Sequence, residues 1–112
     1  DRFAKILETQ TNVMHACEAE TSMMMALEPN LVVDSLLNEA KGPMKLDFLN
    51  AGKGSYRWRS LTHVTSNGVI GDPSYSSSAK GEQLLREASE AIFELICNPE
   101  TFKVQSELPL PE

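Results

Sequence analysis

The sequence predicts an α/β fold, and three observations predict it. A short apolar pair, Val13-Met14, reads as the end of a buried strand handing over to a helix of about residues 16–28. The triplet Ser66-Asn67-Gly68 supplies the residues of a tight turn between two short arms, 62–65 and 69–70, which together read as a hairpin. Finally, Leu84, Leu85, Ala88, Ile92, Leu95 and Ile96 recur at three and four over about residues 79–97, giving an amphipathic helix with a face to bury.

Taken in order, Phe3, Ile6 and Leu7 have helical spacing, and Asp1 can cap a brief N-terminal helix. Residues 9–12 are polar and turn-like. The helix of about 16–28 places Ala19, Met23, Ala26 and Leu27 on one side, and Met23 to Met25 read as core filling because unbranched thioethers fit irregular gaps. Pro29 ends it. Asp34 can cap a short helix over 35–41, which Gly42-Pro43 terminates. Residues 44–55 read as loop. Gly52 and Gly54 bracket Lys53, but no Gly-Lys-Ser/Thr ending precedes a helix, so this is not a phosphate loop. Tyr56-Arg57-Trp58-Arg59 alternates like a strand, and its rings could stack on a flat cyclic substrate. His63 falls on the first hairpin arm and reads as structural or solvent-exposed. Gly71-Asp72-Pro73 breaks the second arm, and the serines of 74–78 form a loop whose last members cap the final helix. Glu82, Arg86, Glu87, Glu90 and Glu94 make that helix's solvated face. Asn98-Pro99 stops it, and residues 100–112 are an extended tail.

The chemistry concentrates in one stretch, His15-Ala16-Cys17-Glu18-Ala19-Glu20-Thr21-Ser22, at the front of the first long helix. Inside one regular helix His15 and Glu20 would diverge by roughly 140°. If the helix starts just after His15, both can face one cavity. The positive end of the helix also favours carboxylates there. A cap or a satisfied packing group explains such a histidine equally simply. Thr21 and Ser22 read as backbone hydrogen-bonding residues.

Composition bounds the alternatives. A chain of 112 residues with 41% hydrophobic and 23% charged residues reads as one globular domain, 1–112. Its formal charge of −6 and the lack of a basic cluster beyond Arg57-Trp58-Arg59 argue against nucleic acid as partner. No apolar run approaches the ~20 residues of a membrane span. Cys17 and Cys97 are too few for a disulfide scaffold and read as free thiols of a reducing, cytoplasmic setting. A nucleophilic Cys17/His15 pair is a further possibility at this helix start.

His15, Glu20, Thr21 and Ser22, with the following Ala26-Leu27-Glu28-Pro29-Asn30-Leu31-Val32, resemble the His-x-x-x-x-Glu-Thr-Ser segment of the creatininase (creatinine amidohydrolase) family. Gly68-Val69-Ile70-Gly71-Asp72-Pro73 and Lys80-Gly81-Glu82 are similar to that family's Gly-Asp-Pro and Lys-Gly signatures. The resemblance spans about residues 3–96. Cys17 stands where the family usually has glycine, and Ser76 to Ser78 replace a more Ala/Thr-like run. The resemblance implies the C-terminal part of a three-layer α/β/α fold, a mixed sheet flanked by helices. It also implies a hydrolase of cyclic or formyl amide C–N bonds using water activated by two divalent ions (zinc, manganese or iron). His15 is then the proton-transfer residue, Glu20 a metal ligand or its support, and Glu18 and Trp58 are candidate substrate contacts.

Most ligands of the family's two ions come from an earlier half carrying Glu-x-His-Gly, a downstream Asp and Asn-Gly-His. Neither His-containing run occurs here: Asn67-Gly68 is followed by Val69, and His63 has no glutamate two residues before it. The chain begins Asp1-Arg2-Phe3 without Met, so an N-terminal half of the same enzyme is an expected partner, together with a small-molecule amide and further copies in a homo-oligomer. The competing expectation is a non-catalytic subunit or interaction module that keeps the fold without the metal site.

Overall fold

The computed structural model describes residues 2–44 and 60–104. Two α-helices dominate them, α1 over Glu18–Leu27 and α2 over Ser78–Cys97, joined by loops and single 3-10 turns. The start of α2 follows from its cap: the Ser77 side chain accepts from the Lys80 amide at 3.2 Å, satisfying one of the helix's free N–H groups. The chain enters α1 through Ala16, in the left-handed region at φ 51°, and extended Cys17.

The helices cross where their backbones nearly touch. A Cβ placed on Gly81 would lie 1.9 Å from the Ser22 carbonyl oxygen, so only glycine fits. The same crossing is tied by polar bonds. The Ser77 amide donates to Ser22 Oγ at 3.1 Å, and the Ser76 hydroxyl to the Glu18 carbonyl at 3.2 Å. Beside it sits a small core of Leu7, Cys17, Ala19 and Leu84, with Phe3, Ile6, Met14 and Met23 packed against it. Helix α1 has 10 residues, about 15 Å, and α2 has 20, about 30 Å. The shorter helix covers half of the longer one. Gly81 and Leu84 are buried, whereas Ile92, Phe93, Leu95 and Ile96 are exposed, although three of these four continue the predicted inward stripe.

The predicted α/β class is overturned: among the described residues there is no strand and no sheet, so the three-layer α/β/α arrangement with a mixed sheet is not present in them. The first hairpin arm is instead a 3-10 turn, Leu61–His63, closed by the His63 amide on the Ser60 carbonyl at 3.0 Å. Local bonds there, including Ser60 Oγ with Thr62 Oγ1, compete successfully with cross-strand pairing. The turn after it does form. Gly68 has φ 85°, and Asn67 Oδ1 accepts from the Val69 amide. Segment 69–71 then runs between two neighbours but bonds each only once, Ile70 N to His15 O at 2.8 Å and Gly42 N to Gly71 O at 2.9 Å. A ladder needs such bonds repeated in register. Positive φ at Gly71 (118°) and at Ala16 turns the chain away after the first bond. The short helix expected over 35–41 reduces to a 3-10 turn, Asp34–Leu36. The predicted strand at 56–59 and most of the tail lie outside the described residues.

Candidate active site

The junction into α1 sets the site. His15 lies in the turn before the helix, and Glu20 is the third residue inside it. Glu20 Oε2 accepts the Ala16 amide at 2.6 Å, reaching back over the helix start as the acidic arm of a capping box does. That fold-back carries the carboxylate towards the imidazole. His15 Nδ1 and Glu20 Oε2 are 3.8 Å apart, both partly open to solvent, with side-chain exposures of 54% and 42%. The two residues therefore meet across the loop-to-helix junction. Thr21 Oγ1 donates to the Ala16 carbonyl, stiffening the same turn.

Glu18, two residues away, has the opposite environment. It is fully buried and receives the Glu8 and Thr9 amides, the Thr9 hydroxyl and Lys80 Nζ, the last at 2.6 Å. Burial on its own would raise its pKa, but the Lys80 ammonium and the Thr9 donors outweigh it and hold the carboxyl below the usual range. Lys80 is shifted upward in turn, burial being offset by Glu18 and Glu8. As placed, Glu18 has no surface for a substrate contact. It fastens the 8–9 loop and the start of α2 to the start of α1. Asp72 extends the bracing: its carboxylate accepts from Ser74 and pairs with Lys41 Nζ at 3.0 Å, while its carbonyl lies 3.1 Å from the Thr9 oxygen, whose one proton goes to the nearer Glu18. Burial would raise the Asp72 pKa, and the Ser74 and Lys41 contacts bring it below the ordinary value.

Cys17 is wholly buried, its sulfur 3.2 Å from both the amide and the carbonyl of Met14. It offers no accessible thiol to a Cys/His pair. Trp58 lies outside the described residues. Lys80 is the residue whose part at the site the sequence did not reveal, although a signal existed: a lysine in the first turn of a helix opposes the helix dipole and calls for a carboxylate partner.

Next to the carboxylate is an open cavity of about 340 Å³, lined on one side by Ala16 and Glu20 and not by His15. An imidazole and a carboxylate brought within 3.8 Å at a helix start are groups capable of exchanging protons with a bound molecule. Residues 2–96 match the family model for creatininase, creatinine amidohydrolase, and the chain belongs to that family. Membership suggests a metal-dependent amidohydrolase. Comparison with curated proteins and with solved structures gives no significant match.

The family implies metal ions, and the residues here can be tested against them. Among the described residues no three His, Cys, Asp or Glu side chains gather closely enough to hold an ion. His15 and Glu20 provide two side chains, and one oxygen of Glu20 already accepts a backbone N–H. A two-ion centre needs several ligands for each ion. These residues do not fit such a centre by themselves. No helix among the described residues is long and apolar enough to cross a membrane.

Proposed function

We propose that this chain supplies the proton-transfer side of a metal-dependent amidohydrolase acting on a cyclic or formyl amide C–N bond. The observation that carries the reading is the approach of His15 to Glu20 at 3.8 Å in a chain of this family. Breaking an amide requires a proton delivered to the departing nitrogen, and histidine is the side chain best suited to that transfer near neutral pH. Glu20 Oε2, tethered to the Ala16 amide, is the same oxygen that lies 3.8 Å from His15 Nδ1, so its part is to place a negative charge beside the imidazole. Glu18 and Lys80 support the pair from beneath. The ions, with zinc, manganese and iron as candidates, are to be held mainly by an N-terminal half of the enzyme. Trp58 is proposed as a stacking ring for a cyclic substrate, and the assembly as a homo-oligomer.

The test is elemental analysis of the purified protein alongside intact mass, followed by hydrolysis of a cyclic amide. About two divalent ions per complete site, and activity abolished in His15→Ala and Glu20→Gln proteins that remain folded, are the expected results. Metal-free, single-chain, folded and inactive material would overturn catalysis by this chain. It would favour the second reading, a non-catalytic subunit, for which the two-residue His/Glu set is the supporting observation.

A further inference from the structure

The cavity beside Glu20 has a chemistry of its own. Its walls are Met24 of α1, Leu31 and Val33 from the loop after it, and Leu37, Val69 and Pro73 from segments that close the opposite side. Among the described residues Glu20 is the one charged side chain at its edge. Thr21, the other polar side chain there, turns its hydroxyl to the Ala16 carbonyl. At about 340 Å³ the space takes on the order of ten non-hydrogen atoms, allowing about 30 Å³ for each water-sized group. A small polar ring would fill part of it and would find few partners for its carbonyl and amide groups on these walls.

We infer that this cavity is a specificity pocket for an aliphatic or aromatic substituent of the amide substrate, with the substrate's N–H donated to Glu20 at the rim. The inference rests on the reading of His15 and Glu20 as the reacting pair. Charge complementarity fixes the orientation. A carboxylate accepts and does not donate, so the group it receives is an N–H rather than a carbonyl. Glu20 Oε2 already accepts the Ala16 amide, and Oε1 makes no bond among the described residues. The apolar body then lies along Met24, Leu31 and Val33. The substrate class is an N-substituted amide with a hydrophobic group of about six to eight carbons, within the space just given, rather than a compact polar ring.

The test separates this inference from the hydrolase reading. Binding of N-cyclohexylformamide, with hydantoin as a polar ring of comparable size, is followed on the full chain by ¹³C-methyl NMR of methionine. The Met24 signal is assigned with Met24→Leu. N-cyclohexylformamide should shift the Met24 methyl and bind about ten-fold more tightly than hydantoin. Val33→Lys and Leu31→Lys place a charge on the wall at positions 58% and 70% exposed, where folding tolerates it, and should each weaken binding about ten-fold. Equal binding of hydantoin, or no effect of either lysine, overturns the pocket. If N-cyclohexylformamide binds as expected but no amide is hydrolysed even with the metal-holding N-terminal half present, the hydrolase reading falls, the substrate assignment falls with it, and only an apolar amide-binding pocket is left. If a polar cyclic amide is hydrolysed through His15 while the Met24 methyl never shifts, the pocket falls and the hydrolase reading stands.

Discussion

Replacing Lys80 with methionine removes the cation from a carboxylate that has no access to water. Glu18 is fully buried and the Lys80 side chain is 16% exposed, so the pair lies well inside the fold. Removing one member of such a pair costs about 3–5 kcal/mol, because the remaining charge stays buried without its counter-ion. Glu18 keeps three other donors, the amides of Glu8 and Thr9 and the Thr9 hydroxyl, which places the cost near the lower end, about 3 kcal/mol. Urea unfolding measures it. The double variant Glu18→Gln/Lys80→Met removes both charges together and should recover at least half of the loss. It also serves if the single variant does not fold. The pH dependence has a defined sign. Because the folded-state pKa of Glu18 lies below its unfolded value, its contribution is complete above the unfolded pKa and disappears as pH falls through the folded one. Stability of the parent should therefore fall more steeply on acidification than that of the double variant. A Lys80→Met protein within 0.5 kcal/mol (~0.5, the usual surface scatter) of the parent would refute the account of Lys80 as the fastening of the site.

Gly81→Ala should cost about 2–3 kcal/mol or prevent folding, since its Cβ would lie 1.9 Å from Ser22 O and must force the helices apart; thermal unfolding monitored by circular dichroism reads it. Ala16→Gly should raise stability by about 0.5–1 kcal/mol, because φ 51° strains alanine and not glycine, and chemical unfolding at constant pH measures the gain. In the native protein Cys97 should react with a thiol reagent within minutes while Cys17 reacts only on unfolding, with equal rates counting against the burial of Cys17. His15→Ala should leave the unfolding free energy within about 0.5 kcal/mol of the parent, as its side chain is half-exposed, so that any loss of hydrolysis belongs to the reaction and not to the fold.

The elements that could be read from the sequence are those defined by short-range rules. Helix α2 announced itself by a serine cap, a three-and-four apolar repeat and a proline stop, and its observed span, Ser78–Cys97, differs by one residue from the expectation. The start of α1 was legible through His15 and Glu20, whose spacing is compatible with a meeting only if the helix begins between them, as it does after Cys17. Sheet pairing depends on partners far along the chain. The arms at 62–65 and 69–70 had the residue types of strands and lacked a neighbour in register, so local hydrogen bonds decided the first of them. Glu18 and Glu20 look alike in the sequence. Their different fates follow from Lys80, 62 residues away from Glu18, and from the Ala16 turn, neither of which spacing reveals.

The mismatch in length between the two helices has a dynamic consequence. Beyond Ala88, among the described residues, α2 is held by its own hydrogen bonds, by Arg2, which pairs with the Glu87, Glu90 and Glu94 carboxylates from the N-terminal segment, and by the Thr101 hydroxyl, which donates to the Leu95 carbonyl at 2.6 Å. A helical stretch of this length is marginal in water without packing, and exposed ion pairs add little and weaken with salt. Amide protons should accordingly exchange along a gradient, slowest around Leu84 at the Gly81 crossing and progressively faster towards Cys97, with added salt steepening the fall. The molecule thus has a firm end, which carries His15 and Glu20, and a yielding end, which can unwind and reform without disturbing them.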